Sequence, residues 1–457
     1  MAQFFKPQKR GKAVSKTLKA QVSGLDHQAR AVVRGSDKQA GRKPQTRFII
    51  GALPGEVIQY KTTGKHSGTL ERILEPSADR RDAPCKYYEQ CGGCDFQHVD
   101  ESYQLRHKQQ VVEELFQKFG VFDAATESLP WQAPLVSEPT RYRRRVRLAT
   151  RWLGKEQKLL IGFREAQSHQ IVPVEDCLVA EESLLQAVNR LYPVLNTSSI
   201  ATKLGHLEAI HTNRPVILLR ITDSLPKDAI QSLEKWQAEQ NIDIWLQSDN
   251  ELTPLNNASL PFDTSIDGDK LYFQPGDFLQ VNGGINERMV QQAIDWLAPE
   301  KTQRVYDFFA GIGNFSIPLA RRAKSLLAVE GVYRMAEQTR NNAETNSLTN
   351  LSSLAAELND ITASELGEPA DLWCLDPARP GAEGVMTLLK KLKPEQRPKR
   401  IVYVSCAPDT LARDVAAIVG LKSNKKTSDY RISKLCTVDM FPQTHHIETM
   451  VCLERAS

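Results

Sequence analysis

The sequence predicts an α/β protein in which a small OB-like β-barrel precedes a parallel sheet. From Asn286 onward, strand-like apolar runs alternate with amphipathic helices, which is typical of a parallel sheet with helices on both faces. Between residues 20 and 76, short apolar runs are separated by turn signals such as Gly51-Ala-Leu-Pro-Gly55, and this spacing indicates a barrel. Residues 130–275 mix strands with two helices, which indicates a central α+β domain.

The parallel sheet determines where a ligand is expected to bind. Its predicted strands are Arg304–Phe308, Ser325–Val329, Leu372–Leu375 and Arg400–Val404. Ligands of such sheets bind beyond the carboxyl ends of the strands. The residues that directly follow these four strands are therefore the candidates for a functional site.

The composition is that of an ordinary globular chain of 457 residues, 41% hydrophobic and 25% charged. No apolar run approaches the ~18 residues of a membrane span, and no apolar stretch typical of a signal peptide follows the basic N-terminus. Eight cysteines without a secretory signal favour a reducing, cytoplasmic setting. In that setting, clustered cysteines indicate metal or catalytic sites rather than disulfides.

The net charge of +4 is unevenly distributed along the chain. Residues 1–50 contain twelve Lys and Arg against two acids, Asp26 and Asp37, so this segment carries a charge of +10. A basic arm on an acidic remainder suggests an anionic partner such as nucleic acid. A solvated tail that only aids solubility is the alternative.

The loop Asp307-Phe-Phe-Ala-Gly311-Ile-Gly313-Asn-Phe-Ser316 joins the first strand of the sheet to its helix. Its glycines allow a ligand to approach the backbone, but Ser316 replaces the third glycine of the dinucleotide fingerprint. Glu330 ends the second strand, where an acid can accept hydrogen bonds from both ribose hydroxyls. The pattern favours an adenosine ligand without a pyrophosphate; a tight turn beside a surface glutamate is the alternative.

Three further residues are candidates for chemistry at the same edge. Cys406 follows an apolar strand and precedes a helix. A thiol near a helix N-terminus has a lowered pKa, so we expect Cys406 to be a reactive nucleophile rather than an inert core cysteine. Asp376 also ends a strand, and Glu448 in a strand-like run is the candidate base. An exposed strand glutamate is the alternative for Glu448.

Four cysteines outside the sheet are candidate metal ligands. Cys85, Cys91 and Cys94 lie in one short segment, and Cys177 is the only other cysteine before the sheet. Four thiolates suit either zinc or an iron–sulfur cluster. The Gly-Gly insert and the irregular spacing differ from a paired C-x2-C zinc ribbon, which favours a structural [4Fe-4S] cluster.

Together these segments are similar to the TRAM-bearing 23S ribosomal RNA (uracil-C5)-methyltransferases of bacteria. The similarity covers nearly the whole chain. It depends on the order and spacing of Gly51-Ala-Leu-Pro-Gly-Glu56, the Cys85/Cys91/Cys94/Cys177 set, Phe278-Leu-Gln-Val-Asn282, Asp307-Phe-Phe-Ala-Gly-Ile-Gly313, Asp376-Pro-Ala-Arg379 and Ser405-Cys-Ala-Pro-Asp-Thr410. The resemblance implies a class I, Rossmann-like S-adenosylmethionine methyltransferase domain, an N-terminal TRAM barrel and a central domain that carries an iron–sulfur cluster.

The resemblance also implies the reaction and the residues that perform it. It implies methylation of uracil C5 in 23S ribosomal RNA, at position 1939, with Cys406 adding to C6 and Glu448 acting as the base. It implies a [4Fe-4S] cluster on the four cysteines. It implies S-adenosylmethionine contacts from Gln280, Phe309, Asn314, Glu330, Glu357 and Asp376, although Asn359 competes with Glu357.

The expected partner is a single-stranded loop of 23S ribosomal RNA with a flipped uridine. The protein is expected to bind it as a monomer, and no membrane partner is expected. The basic run Arg141-Tyr-Arg-Arg-Arg-Val-Arg147 matches a basic strand of the family and is expected to contact phosphates. The predicted domain limits are a disordered basic tail at 1–19, an RNA-binding barrel at 20–76, a central domain at 77–94 and 125–275, and a methyltransferase domain at 95–124 and 276–457.

Three alternatives remain at this point. A uracil-C5 methyltransferase of tRNA or another rRNA would use the same chemistry, but the relatives that act on tRNA resemble the catalytic half only. A methylthiotransferase would need a C-x3-C-x2-C set and a barrel at the other end of the chain. A catalytically inactive RNA-binding protein would not need Cys406, Glu448 and Asp376.

Overall fold

The computed structural model describes residues 17–34, 45–249, 251–419 and 429–456. The chain divides into two compact units, one made of Met1–Pro84 with Asp95–Gln104 and the other of Cys85–Cys94 with Leu105–Ser457. Residues 1–16 of the predicted tail lie outside the described residues, whereas residues 17–19 already belong to a strand. None of the helices in the described part of the chain is long and apolar enough to cross a membrane.

The first unit contains a closed five-stranded barrel, which confirms the prediction from short strands broken by glycine and proline. Its strands are β1 (Thr17–Leu25), β2 (Ala31–Arg34), β3 (Thr46–Ile49), β4 (Val57–Thr62) and β5 (Ser67–Glu75). They follow one another around the barrel in the order β1-β2-β3-β5-β4. The barrel core consists of inward-pointing side chains, including Val22, Val33, Ile49, Ile58 and Tyr60.

Helix α1 (Glu101–Phe119) begins in the first unit and continues into the second. Within the second unit, its residues Val111, Val112 and Phe116 are buried in a core that also contains Phe308 and Trp373 of the C-terminal sheet. The apolar spacing of the helix therefore reflects its packing against that sheet.

The second unit contains a mixed seven-stranded central sheet. Its strands are β6 (Arg145–Leu153), β7 (Lys158–Arg164), β8 (Ile171–Pro173), β9 (Leu204–His211), β10 (Pro215–Ile221), β11 (Asp243–Ser248) and β12 (Glu251–Pro254), in the order β12-β11-β10-β9-β6-β7-β8. Its helices are α2 (Glu182–Leu195), α3 (Ser198–Ala201) and α4 (Lys227–Gln240). A small hairpin, β13 (Phe262–Thr264) and β14 (Lys270–Tyr272), follows it.

The C-terminal sheet of the second unit also has seven strands. They are β15 (Arg304–Phe308), β16 (Ser325–Glu330), β17 (Leu351–Ala355), β18 (Leu372–Leu375), β19 (Arg400–Ser405), β20 (Tyr430–Val438) and β21 (Glu448–Arg455), in the order β17-β16-β15-β18-β19-β21-β20. The first five in this order are parallel, whereas β21 is antiparallel to both neighbours. The predicted alternating α/β architecture is confirmed.

Helices cover both faces of this sheet. They are α5 (Gly283–Leu297), α6 (Ser316–Ala320), α7 (Tyr333–Thr345), α8 (Ala363–Leu366), α9 (Glu383–Lys391) and α10 (Pro408–Val419). Alternate residues of β19 enter two different cores: Val402 and Val404 enter one, and Ile401 and Tyr403 enter the other. Because the parallel strands all point the same way, the residues that follow β15, β16, β18 and β19 meet at one edge.

Candidate active site

A cavity of about 580 Å³ lies at the carboxyl edge of the parallel strands. Its volume falls within the range of about 300–1,000 Å³ that is usual for small-molecule sites. Five of the predicted cofactor residues line it, namely Gln280, Phe309, Asn314, Glu330 and Asp376. Cys406 and Glu448, the predicted nucleophile and base, line the same cavity.

The loop between β15 and α6 turns its backbone toward the cavity. Phe309, Gly311 and Gly313 have positive φ angles of 64°, 59° and 98°. A Cβ atom at Gly313 would lie 3.2 Å from Cγ1 of Ile317, so a side chain there would press against α6. Glu330, at the end of β16, accepts a hydrogen bond from the Gly311 N–H at 2.9 Å. The Glu330 carboxylate therefore lies beside glycine backbone that no side chain covers, an arrangement that suits the ribose of an adenosine ligand.

Helices α5 and α7 support this loop. Asn342 of α7 donates a hydrogen bond from Nδ2 to the carbonyl of Ile312 at 2.9 Å. Asn314 exchanges two amide hydrogen bonds with Asn286 of α5, at 2.9 and 3.0 Å. Because both amides are paired, the Asn314 side chain has a fixed orientation on the cavity wall.

Ser316 has a structural role at the position where a dinucleotide site has its third glycine. Its hydroxyl donates a hydrogen bond to Oδ2 of Asp307, and both side chains are buried. Burial raises the pKa of Asp307 to about 7; the hydrogen bond from Ser316 opposes this shift, and the charges of Asp376 and Glu330 add to it. Asp307 itself does not line the cavity, but the carboxyl groups of Glu330, Asp376 and Glu448 do, and acids there disfavour a pyrophosphate and favour a cationic ligand.

Cys406 lies one residue after β19 and two residues before α10, in the predicted position. Its pKa is nevertheless raised to about 11, so the expectation of a lowered thiol pKa is wrong for the ligand-free protein. Burial is the largest cause, and the charges of Glu448 and Asp376 add to it, while Arg379 opposes them. The effect of a helix terminus, typically about 0.3–1 kcal/mol at exposed sites, is too small to overcome these contributions.

Glu448 and Asp376 form a buried pair of carboxyl groups beside this thiol. Glu448 is only 3% exposed, so it is not the surface residue of the alternative interpretation. Burial and the charge of Asp376 raise the pKa of Glu448 well above its usual range. Burial also raises the pKa of Asp376 to about 7, against a hydrogen bond with Gln280. One thiol and two carboxyl groups with raised pKa values therefore share the cavity.

The family model described as tRNA (Uracil-5-)-methyltransferase matches residues 100–368 and 370–456. The chain belongs to this family. A 23S rRNA (uracil(1939)-C(5))-methyltransferase RlmD of Idiomarina loihiensis is 77% identical to it over 457 residues, which cover 100% of both chains. An enzyme of the same description from Vibrio parahaemolyticus is 36% identical over 463 residues, again 100% of both chains.

A solved structure gives an independent comparison of the fold. The tRNA (uracil-54, C5)-methyltransferase of Pyrococcus abyssi, in complex with S-adenosyl-L-homocysteine, superposes with a TM-score of 0.70. The match covers 95% of this chain and 100% of that chain, at 19% sequence identity. The likeness therefore shows that this uracil-5-methyltransferase shares the fold of the archaeal protein.

Glu357, the sixth predicted cofactor residue of this uracil-5-methyltransferase, does not line the cavity. It is exposed, and its carboxylate accepts a hydrogen bond from Nδ2 of Asn359 at 3.2 Å. Asn359, which competes for the same role, is also exposed. Both follow β17, whose last residue is the sheet partner of Glu330. The assignment of either residue to the cofactor stays a prediction.

The cavity also contains residues to which the sequence interpretation gave no role. Phe278 and Arg379 line the cavity. Arg379 shortly follows β18, so its position could have been inferred from the strand end, whereas Phe278 lies in the connection between β14 and α5. Phe441 and His446 line the cavity from the connection between β20 and β21. That connection has no periodicity or motif, and only the fold places it beside Cys406.

The basic run Arg141–Arg147 of this uracil-5-methyltransferase is largely engaged in ion pairs. Three of its arginines pair with carboxylates at 2.6 Å: Arg141 with Asp176, Arg144 with Asp263, and Arg145 with Glu208. Arg147 has 64% of its side chain exposed, and Arg143 lines the cavity. Arg147 also lies 3.8 Å from Glu208, but its side chain is largely exposed. Arg143 and Arg147 are therefore the best-placed residues of the run for phosphate contacts, which stay a prediction.

The four predicted metal ligands are partly buried thiols of the second unit that form no disulfide bonds. Burial raises the pKa of Cys91, and the neighbouring Cys177 and Cys85 raise it further. Arg143 is close enough to Cys91, Cys94 and Cys177 to interact with them by charge. In the described part of the chain, no group of three or more His, Cys, Asp or Glu is arranged to hold a metal ion.

Proposed function

We propose that this chain methylates carbon 5 of a uracil in 23S ribosomal RNA, with S-adenosylmethionine as the methyl donor. The observation that carries the proposal is the shared cavity of Cys406, Glu448 and the glycine-rich loop after β15. The substrate comes from the name of the Idiomarina loihiensis relative, which is 77% identical along the full length of both chains.

The proposed reaction assigns one role to each of the two catalytic residues. The thiolate of Cys406 adds to C6 of the uracil, so that electron density moves to C5. S-adenosylmethionine supplies an electrophilic methyl group, which C5 attacks. Glu448 then removes the proton from C5, the C5–C6 double bond re-forms, and Cys406 leaves.

The proposed contacts to the cofactor come from the predicted residues of the cavity wall. Glu330 accepts hydrogen bonds from the ribose hydroxyls, and Phe309 and Asn314 lie on the loop that faces the adenosine. Gln280 and Asp376 are hydrogen-bonded to each other, and Asp376 is close enough to Cys406 to interact with it by charge, so we assign them to the methionine part of the cofactor. Glu357 does not line the cavity, but it stays in the proposed set because the family resemblance implies it. Asn359 is the alternative for the same contact.

We further propose a structural [4Fe-4S] cluster on Cys85, Cys91, Cys94 and Cys177. The Gly-Gly insert and the irregular spacing of Cys85, Cys91 and Cys94 differ from the paired C-x2-C ligands of a zinc ribbon. A [4Fe-4S] cluster binds each thiolate through a different iron atom, so its ligands lie farther apart. Thiols that interact with one another by charge, with the cation of Arg143 nearby, fit this arrangement.

The partly buried position of Cys406 on the cavity wall supports a flipped uridine in a single-stranded RNA loop as the substrate, because a base stacked within a duplex would not reach this thiol. Arg143 and Arg147 are the proposed phosphate contacts, and the barrel at residues 20–76 is the proposed additional RNA-binding domain. The central domain (77–94, 125–275) and the methyltransferase domain (95–124, 276–457) complete the proposed organisation. We also propose that the protein acts as a monomer in the cytoplasm.

A covalent trap tests the proposed function. RNA with 5-fluorouridine at the target position has no C5 proton to lose, so the Cys406 adduct cannot resolve after methyl transfer. We expect a stable, gel-shifted complex of the wild type with 23S RNA fragments, and none with Cys406→Ala. Cys374→Ala, which changes a fully buried core cysteine, is the matched control and should trap RNA like the wild type. A tRNA fragment trapped in preference to 23S RNA would overturn the substrate assignment.

A further inference from the structure

The connection between β20 and β21, residues 439–447, is a mostly buried loop on the cavity wall. Phe441 and His446 line the cavity, and Glu448 is the first residue after the loop. Gln443 is 1% exposed and has a positive φ of 67°. Loops usually run over the surface, because a buried loop must satisfy its own polar backbone groups. The side chains that form hydrogen bonds with the backbone of this loop therefore help to determine the position of Glu448.

Lys108 of α1 is the first of these groups. Its side chain is only 1% exposed, and Nζ lies 2.7 Å from Oδ1 of Asp439, the first residue of the loop. The same Nζ donates a hydrogen bond to the carbonyl of Phe441 at 3.1 Å. Lysine is almost never fully buried unless it is paired. The sequence separation of 331 residues shows that this pair joins α1 directly to the loop.

Tyr142 is the second group that holds the loop. Its hydroxyl is buried and donates a hydrogen bond to the carbonyl of Pro442 at 2.9 Å. Burial raises the pKa of Tyr142 to about 12, so the hydroxyl stays a donor at neutral pH. Lys108 and Tyr142 thus bind the consecutive carbonyls of Phe441 and Pro442 from two different parts of the chain.

We propose that Lys108 is a positioning residue for the proton removal by Glu448. The Lys108–Asp439 pair, with Tyr142, fixes the loop and thereby the start of β21, so that the Glu448 carboxylate faces the reacting carbon. This inference rests on the proposed function, in which Glu448 acts only after the methyl group has been transferred. Lys108 itself does not line the cavity and touches neither substrate nor cofactor.

The order of the steps gives this role a distinctive consequence. A loosened loop leaves the addition of Cys406 and the methyl transfer intact but slows the proton removal that releases the cysteine. The covalent protein–RNA intermediate should then accumulate on ordinary, uridine-containing RNA. A purely structural role of Lys108 would instead lower the folded fraction and slow all steps together.

The test compares Lys108→Met with Lys118→Met, which changes an exposed lysine of the same helix. We expect Lys108→Met to lower kcat by about 10–100-fold, since a small misplacement of a catalytic group has effects of this order. S-adenosylmethionine affinity should change less than threefold, and the adduct on ordinary RNA should rise from a trace to a major species. Lys108→Arg should restore part of the activity, and Lys118→Met should behave like the wild type.

A second pair of variants keeps the inference testable if Lys108→Met does not fold. Lys108→Met combined with Asp439→Asn removes the uncompensated buried charge, and Tyr142→Phe removes one hydrogen bond to the loop. Both should show the same stalled adduct. A folded variant with unchanged kcat and no stalled adduct, or with equal losses in every step, would overturn the positioning role. If the wild type itself does not form a covalent complex with 5-fluorouridine RNA, the result refutes the proposed function rather than the positioning role alone.

Discussion

The thiol of Cys406 should be unreactive in the ligand-free enzyme, and its alkylation measures this directly. With a pKa of about 11, roughly one molecule in a thousand carries the thiolate at pH 8. The same cysteine in the unfolded chain, with an ordinary pKa near 9.0, would be ionised in about one molecule in ten. Because the thiolate is the reacting form, folding should slow alkylation at pH 8 by about 100-fold.

The assay follows the rate of iodoacetamide labelling of the Cys406 peptide by mass spectrometry between pH 7 and pH 11. The folded protein should show a midpoint near pH 11, and the urea-unfolded chain should show one near pH 9. Glu448→Gln removes one of the charges that raise the pKa, so it should lower the midpoint. Since burial is the larger cause, the midpoint should stay above 9 in this variant.

Ligands provide the decisive comparison in the same assay. S-adenosylmethionine carries a positive charge on its sulfur and should lower the labelling midpoint of Cys406, whereas the uncharged S-adenosylhomocysteine should lower it much less. A midpoint at or below pH 9 in the folded, ligand-free protein would refute this reasoning. It would mean that the helix terminus, rather than burial and the two carboxylates, controls the thiol.

Three further outcomes are expected. Gly381→Ala should lower kcat by more than tenfold in steady-state assays. Its Cβ would lie 2.6 Å from Oδ2 of Asp414, at a φ of +85°, and would displace the loop that carries Asp376. Gly268→Ala, which has a similar φ but no atom close to its Cβ, is the control for backbone strain. Cys177→Ser should yield colourless protein, and full iron content by elemental analysis would disprove Cys177 as the fourth ligand. Burial raises the pKa of Asp307 to about 7, so its neutral form stabilises the fold at low pH and that contribution is lost as the pH rises through 7. Asp307→Asn should therefore lose several degrees less in Tm than the wild type between pH 5 and pH 8, and equal losses in thermal melts would contradict this.

The sequence was sufficient to locate the catalytic edge of the sheet. The strand ends before Asp376 and Cys406 follow from short apolar runs that stop at a polar residue or precede a proline, and the structure places them within one residue of the prediction. Once the strands are known to be parallel, the crevice rule brings these residues together without further information. Glu330, at the end of β16, joins them for the same reason.

The electrostatics could not be predicted in this way, because they depend on partners that are distant in the sequence. The position of Cys406 before a helix suggested a lowered pKa, but Glu448, from an antiparallel strand, and burial in the folded protein reverse the shift. The basic run was expected to face RNA, yet Arg144 is neutralised by Asp263, which lies 119 residues away. A local motif reveals which residue is present, whereas the tertiary fold decides how much of its charge is available.

The acids that line the cavity provide a physical basis for distinguishing the methyl donor from its product. Asp376 and Glu448 line the cavity and have pKa values raised chiefly by burial, so they keep their protons at pH values at which ordinary carboxyls would have lost them. A cationic sulfonium favours the ionised forms of these groups, and by linkage its binding and their deprotonation assist one another. In the proposed reaction Glu448 accepts the proton from C5, which requires its ionised form, so the positive charge of the donor would also favour the active form of this base. After the methyl group has left, the remaining thioether is neutral, and the carboxylates regain their protons as it departs.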